Sequence, residues 1–339
     1  MRRLSRCLLV AVAVALPAAA PAVRAAEVDP LLPKETEQVV HVNVKQILDS
    51  DIIKKYALGQ IKQAMQGADV KAQLETLGLD PLKDIERLSV GIWGKDPNDM
   101  SAVAVLRGKF DAKKLFDSAK DQAGKTPDKV GIEEEGSFKL VKITGDNGKP
   151  FFVTVADEGT IVGGSAKGLV TDALTAFNKK DKAKLSKELT ALVLKQDEKA
   201  SLFFCGVVEG KLGEIPDGAF DQLQAVGVDP ASMKKQIQKM STVAATVRLG
   251  KEVALDITMG MKDEDSAEEF GGKAGNLTKL VDTAKTFLPL MVGQQPKAKP
   301  LIDDLVKTLG TSVKGKDVSI KLAVTADAIG SVAGGETDK

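Results

Sequence analysis

Apolar and polar positions alternate most cleanly between residues 242 and 261. Val243, Ala245, Val247 and Leu249 are separated by polar or small residues, and past Gly250-Lys251 the same period continues through Val253, Leu255, Ile257, Met259 and Met261. A period of two is the mark of a strand with unlike faces. It predicts an antiparallel hairpin whose apolar set enters a core while Thr246, Arg248, Asp256 and Thr258 face water. Gly250, first in a two-residue connection, predicts a type II′ turn. The first half carries the same device with a longer loop: Leu88, Val90 and Ile92 oppose Val103 and Val105 across residues 94–100, which are rich in turn formers.

The order of elements repeats. Residues 39–44 read as a strand, with Val40, Val42 and Val44 on one face and Val39, His41 and Asn43 on the other. A helical stretch over 46–77 follows, then Gly78-Leu79-Asp80-Pro81, a short helix and the first hairpin. In the second half a strand at 202–208 leads to a helical stretch, Gly227-Val228-Asp229-Pro230, a helix through 240 and the second hairpin. The shared order predicts an internal duplication. Gly-x-Asp-Pro itself is a stop–start signal. The glycine ends one helix at positive φ, the aspartate caps the next, and proline fits its first turn.

Further strands are expected at 131–135, 138–143, 151–156, 160–163, 318–325 and 329–332, and helices at 111–123, 167–177, 185–195, 266–288 and 300–309. The expected fold is α+β: two similar units, each an antiparallel sheet covered on one face by helices. The first unit spans 26–182 and the second 200–335, joined by a helical linker at 183–199 and followed by a disordered tail at 336–339.

Residues 1–25 change the picture from fold to compartment. Arg2, Arg3 and Arg6 precede an unbroken apolar run from Cys7 to Leu16, and Val23-Arg24-Ala25 sits where a signal peptidase reads small residues. This is the pattern of a secretory signal peptide cleaved between Ala25 and Ala26, so the mature chain is expected in the periplasm or outside the cell. The apolar run is too short to cross a hydrocarbon core of roughly 30 Å, and no later stretch approaches a spanning length. Removing residues 1–25 deletes four arginines and no acid, taking 48 basic residues to 44 against 47 acids and the net charge from +1 to −3. Both signs are interspersed, so no basic stripe offers a footprint for nucleic acid. Cys205 is then the lone cysteine, which excludes an intramolecular disulfide and fits a buried, inert thiol. One Trp and one Tyr are a poor supply of stacking platforms for sugars.

Candidate chemistry is sparse, and no catalytic, cofactor or metal residue is assigned. His41 is the single histidine, so any Ser-His or Cys-His mechanism must use it, and the usual zinc ligand set cannot be completed. Its place on the face away from Val40, Val42 and Val44 makes it a surface or inter-element histidine and a candidate partner or ligand contact. Trp93 is a second such candidate, either an exposed anchor or a ring packed under its own loop. Gly163-Gly164-Ser165 follows a strand and opens a helix, a candidate anion site. Its spacing fits neither the Walker nor the Rossmann pattern and misses Gly-x-Ser-x-Gly by one position, with Ser165 expected to cap the helix. Ser232-Met233-Lys234-Lys235 lacks the companion motifs of serine β-lactamases. The clusters Asp96, Asn98, Asp99 and Asp263, Glu264, Asp265 do not fit an EF-hand, and the second suits a helix start.

Leu31-Leu32-Pro33-Lys34-Glu35-Thr36, Gly78-Leu79-Asp80-Pro81 and Leu88-Ser89-Val90-Gly91-Ile92 together give a layout that resembles uncharacterised signal-peptide-bearing bacterial proteins of duplicated α+β build, of the domain-of-unknown-function type. The resemblance implies export and a two-unit fold and carries no catalytic residues. The expected role is an exported non-enzymatic binding or scaffold protein of the bacterial cell envelope, partnered by another envelope protein or by itself. The alternative is a periplasmic carrier of an apolar, lipid-like ligand lined by Phe151, Phe152, Phe203, Phe204, Met259 and Met261. A carboxylate-only hydrolase is third, since acids are plentiful and no pair stands out. N-terminal sequencing of the exported chain from its own host is expected to begin at Ala26. A chain that keeps residues 1–25 would remove the compartment from the argument.

Overall fold

The computed structural model describes residues 25–67, 71, 74, 75, 79–94, 99–211, 218, 220–293 and 296–333. Residues 1–24 of the leader, Gly78, Asp96, Asn98, residues 68–70, 72, 73, 76 and 77 of the expected helical stretch and the expected tail lie outside the described residues.

Twelve strands form one sheet in which every ladder is antiparallel. They are β1 (Gln38–Asn43), β2 (Ile85–Trp93), β3 (Ser101–Gly108), β4 (Val130–Glu135), β5 (Phe138–Thr144), β6 (Pro150–Asp157), β7 (Thr160–Gly164), β8 (Leu202–Val207), β9 (Met240–Leu249), β10 (Glu252–Met261), β11 (Gly310–Lys314) and β12 (Asp317–Thr325). Their spatial order is β11-β12-β10-β9-β8-β1-β2-β3-β7-β6-β5-β4. The two sheets expected from the sequence are therefore continuous, joined where β1 pairs with β8.

The helices are α1 (Val44–Asp49), α2 (Leu58–Met65), α3 (Pro81–Asp84), α4 (Ala112–Lys125), α5 (Lys167–Lys179), α6 (Lys187–Leu194), α7 (Pro230–Gln238), α8 (Glu264–Gly271), α9 (Asn276–Phe287), α10 (Lys299–Thr308) and α11 (Ala326–Ala333). The two Gly-x-Asp-Pro elements do what their chemistry dictates. Asp80 accepts from the Leu82 N–H and Asp229 from the Ser232 N–H, each followed by proline in the first turn, and Gly227 has φ +76°.

Opposed residues in an antiparallel pair point the same way, so register assigns faces across the sheet. The first face carries Val39, Gly91, Val103 and Cys205 in one row and His41, Ser89, Val105, Phe203 and Thr246 in the next. The larger core lies here, built from Val39, Val103, Val105, Val162, Leu140 and Phe203 against α5, α6 and Leu31-Leu32. A second core lies at the other end of the sheet, where Met259 and Val318 on the opposite face meet Phe270 of α8 and Leu277 of α9. Helices thus cover both faces, not one.

The faces of β9 are the reverse of the expectation. Thr242, Ala244 and Thr246 are buried, while Val243, Ala245 and Val247 are only half-buried. The segment at α6 lies over the Thr/Ala face, and Thr246 Oγ1 donates to Gln196 Oε1 at 2.5 Å. Small side chains let a helix approach closely; alternation says only that two faces differ. On the second face, no described side chain of β3, β2, β1, β8 or β9 is fully buried.

Two other expectations are corrected. Gly250 is not among the residues with positive φ, so the turn is not type II′; its N–H donates to the Glu252 carbonyl and the ladder closes at Leu249 and Val253. Residues 329–332 belong to α11, whose start is met by Thr325 Oγ1 accepting from the Ala328 N–H at 3.4 Å. The strand β11 carried no alternation long enough to be read. The helix expected at 185–195 is α6, which lies in the larger core through Leu189 and Val193.

Leu189 is 0% exposed. Leu189→Ala is expected to destabilise the chain by about 2–5 kcal/mol, the range for a buried leucine, in urea unfolding. A loss below about 1 kcal/mol would mean that α6 is a tether and not part of the core.

Candidate functional site

Three segments meet at one end of the first face. At the end of β1, Asn43 caps α1 by accepting from the Gln46 N–H at 3.0 Å. The Gln46 side chain then donates to the Leu249 carbonyl at 2.7 Å and accepts from the Ser201 hydroxyl, while Ser201 Oγ accepts from the Leu249 N–H at 2.8 Å. This pins α1 to the ends of β8 and β9. The segment entering from Ala26, whose N–H donates to the Gln196 carbonyl at 2.9 Å, makes the opposite wall.

That wall is held by a buried charge pair. Asp29 accepts from the Leu31 N–H and pairs with Arg107 at 3.1 Å, and Arg107 Nη1 also donates to Thr160 Oγ1 at 2.8 Å. Burial makes such a pair costly to break from one side only. Between the walls lies a cavity of about 920 Å3, lined by Ala26–Pro30, His41, Asn43, Lys45, Gln46, Asp49, Arg87, Ser89, Arg107 and residues 197–199.

His41 lines this cavity with its ring fixed by the sheet. Across the ladder on one side is Ser89, whose Oγ lies 3.0 Å from His41 Nδ1; across the other is Phe203, stacked at 4.8 Å between centroids and 16° between planes. Burial first, and then the Arg87 guanidinium, push the imidazole down to about 4, against a smaller opposing pull from Asp29. The ring is uncharged at neutral pH, and its Nε2 has no hydrogen-bond partner among the described residues. Arg87 is exposed beside it and forms no ion pair among the described residues.

The Ser89–His41 contact is the one hydroxyl–imidazole hydrogen bond among the described residues. Ser89 is 5% exposed and sits mid-strand between His41 and Val105. A nucleophile needs an open approach and a base oriented by a third group. Here the hydroxyl orients the ring.

No family model, curated protein or solved structure matches this chain.

The other sequence candidates are not brought to this cleft. Trp93 shares the first face but is half-buried against the larger core, outside the cavity. At Gly163 an added Cβ would meet the Phe151 ring at 2.6 Å, and at Gly164 it would meet Val170 at 3.0 Å, so close packing explains both glycines. Ser165 does not cap α5. Its N–H and Oγ both bond to Ala102, extending the sheet, and Ala166 takes the cap position with no side-chain bond. Lys167 pairs with Glu133 at 2.6 Å. Asp263 caps α8. Cys205 is buried, and burial pushes its thiol up to about 12. Phe152, Phe203, Met259 and Met261 are packed in the two cores, and Phe151 and Phe204 are half-buried. Among the described residues, no group of three or more His, Cys, Asp or Glu is placed to hold a metal, and no helix is long and apolar enough to cross a membrane.

Ser89, Asp29, Arg87 and Arg107 carried no sequence signal. Their meeting depends on ladder register and on a pair 78 residues apart in the chain.

As the only histidine, His41 gives one pair of imidazole C–H resonances by NMR, expected to titrate near pH 4 in the folded chain; a midpoint near 6.5 would overturn the environment described. Between those values the unfolded chain binds the extra proton. Stability is therefore full above pH 6.5, falls as pH drops through the window and levels off below the folded value. The total loss is roughly 3 kcal/mol, and His41→Gln is expected to flatten the slope between about pH 6.5 and 5.

Proposed function

We propose that this chain is an exported, non-enzymatic binding protein of the bacterial cell envelope, and that the His41 cleft is where it engages an envelope protein. The observation carrying this reading is the uncharged His41 ring. It is held rigidly by Phe203 and Ser89, and it lines a large cleft beside the exposed Arg87 guanidinium. Fixed polar groups on rigid strands suit recognition, and Arg is favoured at the centre of binding surfaces. The buried Ser89 hydroxyl supports binding over acyl transfer. The basic and apolar leader supports export.

The same reading includes an internal duplication. Supporting it, β1-β2-β3 and β8-β9-β10 run outward from the central ladder in the same order. An Asp-capped, proline-started helix also precedes β2 and β9 alike. One unit then kept its loop-side residues for the cleft, while the other supplied Phe203 as the floor beneath His41.

The test replaces Arg87 with a photo-crosslinking residue in the exported chain in its own host, with Asp146, at an exposed turn on the far side, as the control. A discrete band at Arg87 and none at Asp146 is expected. No band, or the same bands at both positions, would overturn the reading. A band at twice the chain mass would identify the partner as a second copy.

A further inference from the structure

We propose that the gap between α4 and the second face of β5–β7 is a binding site for a single acyl chain. It lies on the opposite face from His41 and goes beyond the reading of that cleft.

On the sheet side, Val141, Val153 and Val155 are half-buried, whereas Leu140, Phe152 and Thr154 on the other face of the same strands are buried. The strands are thus closed from below and open from above. α4 lies over the open side with Leu115, Phe116 and Ala119 turned to it, but does not close it, leaving a cavity of about 250 Å3. Ile143, 43% exposed, lines it and continues its apolar wall to the surface.

A second observation makes this more than loose packing. Ser118 is the one buried residue of α4, at 5% exposure, and it lines the cavity. Its hydroxyl has no hydrogen-bond partner among the described residues. A mid-helix serine ordinarily bonds back to the preceding turn; this one does not, and its hydroxyl is left free to donate into the cavity it lines. Thr154, the other buried hydroxyl here, is satisfied by the Lys139 carbonyl at 2.8 Å.

The wall chemistry selects the ligand. The walls are valine, leucine, isoleucine and phenylalanine, with Ser118 as the unpaired hydroxyl, Thr154 already bonded to Lys139 and Gln122 at the exposed edge; dry apolar cavities of about 150 Å3 take up hydrocarbon. A flexible aliphatic chain fills such walls, and one carboxyl or ester oxygen accepts from Ser118 Oγ. The volume admits one chain and is too small for two. A free fatty acid and a phospholipid chain present the same chemistry.

The test uses the full mature chain, stripped of lipid and titrated with dodecanoic acid by calorimetry. It is also incubated separately with phosphatidylglycerol vesicles and weighed by native mass spectrometry. Saturable one-to-one binding of dodecanoate, or a retained phospholipid, is expected, and the adduct mass identifies the source. Ala119→Trp and Val153→Phe each fill the gap and are expected to abolish binding, with whichever variant keeps the wild-type circular dichroism deciding. Ser118→Ala is expected to weaken binding about fivefold, the worth of one hydrogen bond. His41→Gln is expected to bind as wild type, so failure at the cleft and failure here are separable. No saturable binding of either ligand, or unchanged binding in a folded gap-filling variant, would overturn the proposal.

Discussion

Five cross-strand pairs, from Gln38–Gly206 to Val42–Leu202, join the two halves of the sheet, and the larger core and the cleft, which draw on both halves, depend on them. Without this ladder, β1 and β8 would be two long exposed edges rich in valine and phenylalanine, the kind of edge that recruits other chains. With it, parity is fixed across all twelve strands. A slip of one residue would exchange every side chain between the faces. Made in this ladder, it would take Phe203 off His41 and out of the larger core. The central ladder and the floor of the cleft are the same residues.

A sheet this wide needs cover on both sides, and the chain supplies it unevenly. The first face is sealed over its middle by α5, α6 and the segment at Leu31-Leu32. The second face is sealed only at the far end, by α7, α8 and α9. Between these zones, Val40, Val90, Phe204 and Ala245 stay half-buried on the second face. Their apolar character therefore comes without the burial that usually accompanies it, and the alternation that suggested a core there was a true pattern with the wrong partner.

Most strands were legible because alternation and turn residues are local. Capping was legible at Asp80 and Asp229 for the same reason, since each accepts from an N–H two or three residues on, and the acids at Asp263–Asp265 were legible as a helix start. What failed depended on distant chain. Ser165 was a reasonable cap until Ala102, on a neighbouring strand, offered both a donor and an acceptor. Residues 329–332 have strand-like side chains, yet Thr325 starts a helix and the Ser331 hydroxyl ties it to the Lys297 carbonyl at 2.9 Å. His41 could be put on a face from parity alone, but that this face was the covered one required α6 and the segment at Ala26. The rest of the cleft was out of reach, because Asp29–Arg107 is a tertiary contact between residues with no motif in common.

The uneven cover is consistent with the mechanics of β5, β6 and β7. Leu140, Phe152 and Val162 project from these strands into the sealed face, and burial scales with apolar area removed from water. The strands are therefore held in place by one face alone. Their other face, with Val141, Val153, Val155 and Ile161, is free to stay open beneath α4 without loosening the ladder. An interior closed on both sides would add stability but leave no room for a ligand. The arrangement separates the residues that stabilise the fold from those that line its openings, and the period of two along each strand is what makes that separation possible.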